Sequence, residues 1–254
     1  MSDTNLNYLR TNLNRVGFPE EVMQKMQDQM KAGGDKFSVG HEATKNGELV
    51  QYELKFKQSA ETGNYFFNSY SATLKTGVDD RDKTQNFTIR NGNNVTMDEA
   101  FNLAAGRAVQ KAMVNSDGDT YQAWLKVDFS QKDKYDNYKI DQFHERYGYS
   151  VEKALDKFPI AELAKPDERE KLVESLKAGN STAVMIAKGG KEEMVFVEAN
   201  PRLRTINIKD EKGVSMKRDE LQIKDTSKSK EIAEKHAHDQ EQNKSKGKRT
   251  SLSV

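Results

Sequence analysis

The first apolar positions of the chain, Leu6, Leu9, Leu13 and Val16, recur at helical spacing and stop at Gly17. One face of an amphipathic helix accounts for that spacing, because residues three and four apart lie on one side of a 3.6-residue turn. Val22, Met23, Met26 and Met30 repeat the pattern, and Pro19 ahead of them with Gly33-Gly34 behind bounds a second helix running to about Lys31. The period then drops to two. Lys36 to Ala43, Leu49 to Lys57, Tyr65 to Leu74 and Phe87 to Ile89 have strand composition, with Asn46-Gly47 and Thr62-Gly63-Asn64 as turns, which predicts an antiparallel meander.

Thr96 ahead of Asp98-Glu99 reads as a helix start, and Phe101, Ala104, Ala105, Ala108 and Ala112 fall on one face of the helix it predicts. After the turn residues Asn115 to Asp119, Tyr121, Ala123, Leu125, Val127 and Phe129 alternate as in a strand, with Trp124 facing the other way. Two stretches share a pattern. Phe18-Pro19, a helix, Lys31-Ala32-Gly33 and a strand pair recur as Phe158-Pro159, a helix, Lys177-Ala178-Gly179 and a strand pair, 140 residues apart at Phe-Pro and 146 at Lys-Ala-Gly. Duplication with an insertion and independent use of glycine to end a helix both account for the match.

Near the end of the apolar part, Val195, Phe196 and Val197 close a β-rich run, Asn200-Pro201 breaks it, Thr205 to Ile208 open another, and Asp210 to Gly213 turn the chain. The order of residues in VEANPRLRTINIKDEKG, Val197 to Gly213, resembles a domain of unknown function that recurs in proteins of bacterial conjugative elements, sometimes joined to topoisomerase-like segments. The resemblance extends through Tyr65 to Lys75, Thr96 to Lys111, Tyr121 to Phe129 and His144 to Leu155. It implies a genetic context and a connection to nucleic acid by analogy. It supplies no catalytic residues.

Composition narrows the classes further. Hydrophobic residues make up 35% and charged residues 32% of 254, a wet composition that still folds because the apolar positions are periodic and not scattered. The 41 basic and 40 acidic side chains nearly cancel, which disfavours a globally basic polyanion binder. With no cysteine, disulfides, thiolate metal sites and cysteine nucleophiles are excluded. The start MSDTNLNYLR has no apolar leader core and no run approaches a spanning helix, so the expectation is a cytoplasmic protein with no membrane contact. Residues 224 to 254 hold eight basic and five acidic groups, a formal net of +3, against 33 and 35, a net of −2, in what precedes them. Few apolar residues remain there, so a flexible tail is expected.

Candidate chemistry is sparse. His144-Glu145 begins like a zinc-protease helix, but Gly148 stands where the second histidine belongs. His236 and His238 lack further ligands, Asp117-Gly118-Asp119 has the spacing of a turn and not of an EF-hand, and there is no phosphate loop. Tyr65, Phe66, Phe67 and Tyr70 would suit stacking on single-stranded bases, although a strand buried on both sides is the simpler account of them. Cations are the remaining binding candidates. Arg202 and Arg204 share one side if their segment is extended, with Lys209, Lys217 and Arg218 near in sequence; contact with phosphate or an acidic partner accounts for them, and so does a solvated edge that discourages sheet aggregation. Lys244, Lys246, Lys248 and Arg249 form a basic cluster in the tail, which fits phosphate contact and equally a solubilising or targeting end.

The sequence therefore predicts an α+β protein of antiparallel sheets covered by helices, in two helix-plus-sheet subdomains, 1–149 and 150–223, with a flexible polar and basic tail, 224–254. Its expected role is that of a non-enzymatic accessory protein of a mobile genetic element, needing no cofactor or metal and binding nucleic acid through those cations. The alternatives are an adaptor for a protein of a transfer or processing system, and an enzyme of unrecognised class. The purified protein should hold no stoichiometric zinc and turn over no nucleoside triphosphate; metal analysis and a phosphate-release assay check this.

Overall fold

A computed structural model describes residues 3–78, 81–90, 92–217 and 221. They form five α-helices and ten strands in three antiparallel sheets, an α+β fold. The chain divides into two compact units, Met1–His144 and a second that begins at Glu145. No described helix is long and apolar enough to cross a membrane. The tail expected at 224–254 lies outside the described residues.

In the first unit, helices α1 (Asp3–Val16) and α2 (Glu20–Ala32) precede β1 (Lys36–Lys45), β2 (Glu48–Gln58), β3 (Tyr65–Lys75) and β4 (Lys83–Thr88), which pair in that order. The core is one face of this sheet. Val39, Val50, Tyr52, Leu54, Phe56, Phe67, Tyr70, Ala72 and Phe87 bury there in one cluster with Leu9, Leu13, Val22 and Met26 of the helices. Phe18, between the two helices, meets Tyr52, Phe67 and Tyr70 edge to face with centroids 5.7, 6.3 and 5.3 Å away. Asn5 of α1 donates to the Tyr65 carbonyl and accepts from its N–H, both at 2.9 Å, and so acts as a further strand partner for β3. The strand at Tyr65–Lys75 is not buried on both sides, because Phe66 is 39% exposed while Tyr65 and Phe67 are buried.

Helix α3 (Met97–Ala104) has a capping box. The Glu99 N–H donates to Thr96 Oγ1 at 3.3 Å and the Thr96 N–H to Glu99 Oε2 at 2.8 Å. The helix ends earlier than its alanines suggest. Gly106 has φ +78°, and beyond it Val109–Val114 is a strand, β5, so Ala112 lies on no helix. Apolar spacing over so short a stretch fits both periods, and the left-handed glycine settles it. Arg107, just past that break, is buried, with Nε and Nη2 donating to Asn102 Oδ1 at 3.1 and 2.9 Å and Nη1 to Glu48 Oε2 at 2.6 Å. β5 pairs with β6 (Thr120–Lys132), which pairs with β7 (Tyr138–His144), a strand that carries no clear alternation. Trp124 is buried on the face opposite Ala123 and Leu125.

The second unit repeats the order of helices followed by a meander. Helices α4 (Val151–Leu155), capped by Ser150, and α5 (Pro166–Lys177) precede β8 (Thr182–Lys188), β9 (Lys191–Asn200) and β10 (Thr205–Lys209). Helices α2 and α5 both end before a left-handed glycine, Gly33 at φ +82° and Gly179 at φ +86°, and both lead into an antiparallel strand pair. The spacings of 140 and 146 differ because Ile160–Lys165 intervenes between Phe158-Pro159 and α5, including a bridge from Ile160 to Ile186.

Phe18 is the side chain on which the helix pair and the sheet converge. Phe18→Ala should cost about 3–5 kcal/mol of stability, measured as a shift of the urea midpoint of the full chain; a loss below about 1 kcal/mol would mean that the helices are held elsewhere.

Candidate functional site

The Val197 to Gly213 stretch folds as a hairpin and a turn. Asn200 stands opposite Thr205 in the β9–β10 ladder, so Pro201, Arg202, Leu203 and Arg204 form the loop. Asn200 is nearly buried and organises it, its Oδ1 accepting from the Leu203 N–H at 3.1 Å and its Nδ2 donating to Asn207 Oδ1 at 2.7 Å. The Arg204 N–H closes the loop on the Pro201 carbonyl at 3.1 Å. Arg204 itself has φ +51°, a left-handed conformation that costs a bulky side chain about 1–2 kcal/mol and persists only where the surroundings impose it.

Two tyrosines supply the surroundings. Tyr147 Oη donates to the Arg202 carbonyl at 3.1 Å, and the Arg204 guanidinium lies 4.4 Å from the centre of the Tyr147 ring. Tyr149 Oη donates to the Thr205 carbonyl at 3.0 Å. Burial pushes the Tyr149 phenol well above its ordinary range, and the Glu152 charge adds to this, so it is a neutral donor at ordinary pH. Gly148, at φ +77°, turns the chain between the two. The outcome is a buttressed loop that displays Arg202, Arg204 and Leu203, the last 57% exposed.

The arginines are thus not on one side of an extended strand, as their spacing suggests; they belong to a tight turn. Among the described residues the Arg204 guanidinium has no hydrogen-bonded partner, and stacking on a ring leaves its edge N–H groups able to grip a phosphate or carboxylate in a fork. Lys209 is engaged differently. Its Nζ donates to Glu198 Oε1 at 2.7 Å, and since that carboxylate is buried, the pair neutralises the sheet and does not present a cation. Lys217 is exposed beyond the Asp210–Gly213 turn, while Arg218, Lys244, Lys246, Lys248 and Arg249 lie outside the described residues. Sequence reasoning missed Tyr147 and Tyr149 as partners of the loop; a Tyr-Gly-Tyr string is the only local sign of them, and their contact with the loop spans more than 50 residues.

Among the described residues no catalytic constellation accompanies the loop. His144 stacks on Tyr121 with centroids 5.0 Å apart, and Asp117 and Asp119 sit in a turn whose N–H groups donate to Asn115 Oδ1. Among the described residues no group of three or more His, Cys, Asp or Glu could hold a metal ion. In the first unit a groove of about 850 Å³ contains Glu21, Lys25, His41 and Tyr52. Glu21 accepts from Lys25 Nζ at 3.0 Å and faces His41 Nδ1 at 3.3 Å, which hold its carboxyl below the usual range, Lys25 more strongly. A carboxylate so stabilised is a poor general acid. No family model, curated protein or solved structure matches the chain.

Tyr52 and Tyr70 are buried and Tyr149 is half-buried, and the burial of each raises its phenol. The neutral form is the native one, so their stabilising contribution is complete below the unfolded value of about 10 and falls as pH rises past it. Urea midpoints should therefore decline above about pH 10, and Tyr149→Phe should flatten the decline. An unchanged slope in that variant would place Tyr149 in water.

Proposed function

We propose that this chain is a non-enzymatic accessory protein of a mobile genetic element and that it acts by binding nucleic acid. The observation that carries the reading is the Arg202–Arg204 loop. Two exposed arginines flank an exposed leucine at the tip of a hairpin whose underside is fixed by Tyr147, Tyr149 and Asn200. Rigid guanidinium donors suit phosphate oxygens, and an apolar residue between them suits the edge of a base step in a groove. The genetic context comes from the resemblance carried by Val197 to Gly213 and the strings upstream of it. The net charge of +3 on residues 224 to 254 adds a phosphate-neutralising segment.

Binding by phosphate contact has a salt signature. Each neutralised phosphate on a duplex contributes a slope of about −0.9 in log affinity against log salt, so four tail cations contribute about −3.6 and two loop arginines about −1.8. Truncation after Leu221 and the double substitution Arg202→Ala, Arg204→Asn should each flatten the slope by those amounts; asparagine tolerates the left-handed conformation and so spares the loop. Fluorescence titrations of a labelled duplex at several salt concentrations measure both. Equal slopes in all three proteins would exclude the loop and the tail as the site. No binding by the intact chain, together with capture of a protein partner that survives nuclease, would establish the adaptor instead.

A further inference from the structure

The four-stranded sheet of the first unit buries one face and leaves the other polar. On that open face the cross-strand register places Lys36 of β1 opposite Lys57 of β2, and Lys57 opposite Phe66 of β3, so the three side chains form one row. Lys55 lies two residues from Lys57 on the same face, in an ion pair with Glu53 at 3.3 Å. Neither Lys36 nor Lys57 has an ion-pair or hydrogen-bond partner among the described residues, and both are exposed. Phe66, 39% exposed, meets Tyr8 of α1, 50% exposed, edge to face with centroids 6.1 Å apart. Phe66, Lys57, Gln58 and Asn68 line a depression of about 370 Å³, with Asp35 as an acid on the same rim.

Two large exposed rings side by side are costly to leave in water, and they are not explained by packing, since the sheet's core lies on its other face. Unpaired lysines in the same row supply positive charge, and amide side chains beside them supply donors and acceptors for base edges. Aromatic rings beside basic groups on an open sheet are the elements with which unstacked bases and their phosphates are held. We propose that the Lys36–Lys57–Phe66 row, with Tyr8, is a binding site for single-stranded nucleic acid. Phe66 and Tyr8 stack on successive bases, and Lys36 and Lys57 neutralise the adjoining phosphates. The site rests on the nucleic-acid reading of the chain but is separate from the hairpin loop of the second unit, and it specifies the strandedness of the ligand. Four residues of the first unit set it, so its sequence preference is weak.

Full-length protein, Phe66→Ala, Phe66→Leu and the pair Lys36→Gln, Lys57→Gln are titrated with a labelled oligo-dT and with a labelled hairpin duplex. Phe66→Leu keeps apolar bulk where Phe66→Ala fails to fold, and circular dichroism and melting temperature confirm the fold of each. Loss of one stacked base weakens oligo-dT binding about 5- to 160-fold, and loss of two phosphate contacts flattens its salt slope by about 1.4; duplex binding stays at the intact level in every variant. Oligo-dT binding by all variants at the intact level would overturn the site, and so would equal loss with the duplex. Displacement of the oligonucleotide by polyglutamate, with no effect of Phe66→Leu, would assign the lysines to an acidic polypeptide and overturn it as well. Failure of the intact chain to bind either oligonucleotide would reject the broader nucleic-acid reading along with the site, whereas duplex binding without oligo-dT binding would reject the site alone.

Discussion

A sheet with one apolar face must be covered, and in the first unit that requirement falls on the junction of two short helices. Phe18 sits between α1 and α2 and presses its ring edge against Tyr52, Phe67 and Tyr70. Because three strand positions from β2 and β3 meet one side chain, strand register, helix orientation and the depth of the aromatic core are coupled. Buried phenols would be costly without partners, and each finds a carbonyl: Tyr52 at Met97, Tyr65 at Gly34, Tyr70 at Val95. These bonds also fix the entry to α3. Coverage of one face leaves the other to solvent, and the polar rows across β1 to β4 are its direct consequence.

The second unit buries a core of its own, with Leu155, Phe158, Leu176, Ile186 and Ile206 in it, and also holds a loop. Its hairpin turn carries a strained arginine, and the strain is offset by a buried asparagine, two tyrosine hydroxyls and a stacked ring. Positive φ at a bulky residue without such support would relax or be replaced by glycine. The Lys209–Glu198 pair, in contrast, keeps a buried carboxylate neutralised within the ladder, so its cation has a structural use.

Legibility in the sequence followed how local each signal is. Helices α1 and α2 were plain because Leu9, Leu13, Val22 and Met26 repeat over several turns and Gly17 and Gly33 stop them. The hairpin at Asn46-Gly47 was plain because a two-residue turn demands residues that accept positive φ. The helix at Thr96 was correct at its start, where the capping box is local, and too long at its end, where alanine alternation served β5 as well as a helix. β7 escaped notice because its exposed and half-buried positions carry no clean alternation.

The candidate site divides along the same line. Sequence alone determined that Asn200-Pro201 interrupts a strand pair and that Lys36, Lys57 and Phe66 belong to consecutive strands. It did so because turn chemistry and period-two alternation are properties of a few adjacent residues. Only the tertiary structure decided that Arg204 stacks on Tyr147, that Lys209 is committed to Glu198, and that Lys36, Lys57 and Phe66 align in one row on the uncovered face of the sheet. Those facts depend on register between strands and on contacts between residues far apart in the chain. Register is set by which face the helices bury, a choice that belongs to the assembled core and to no segment of it.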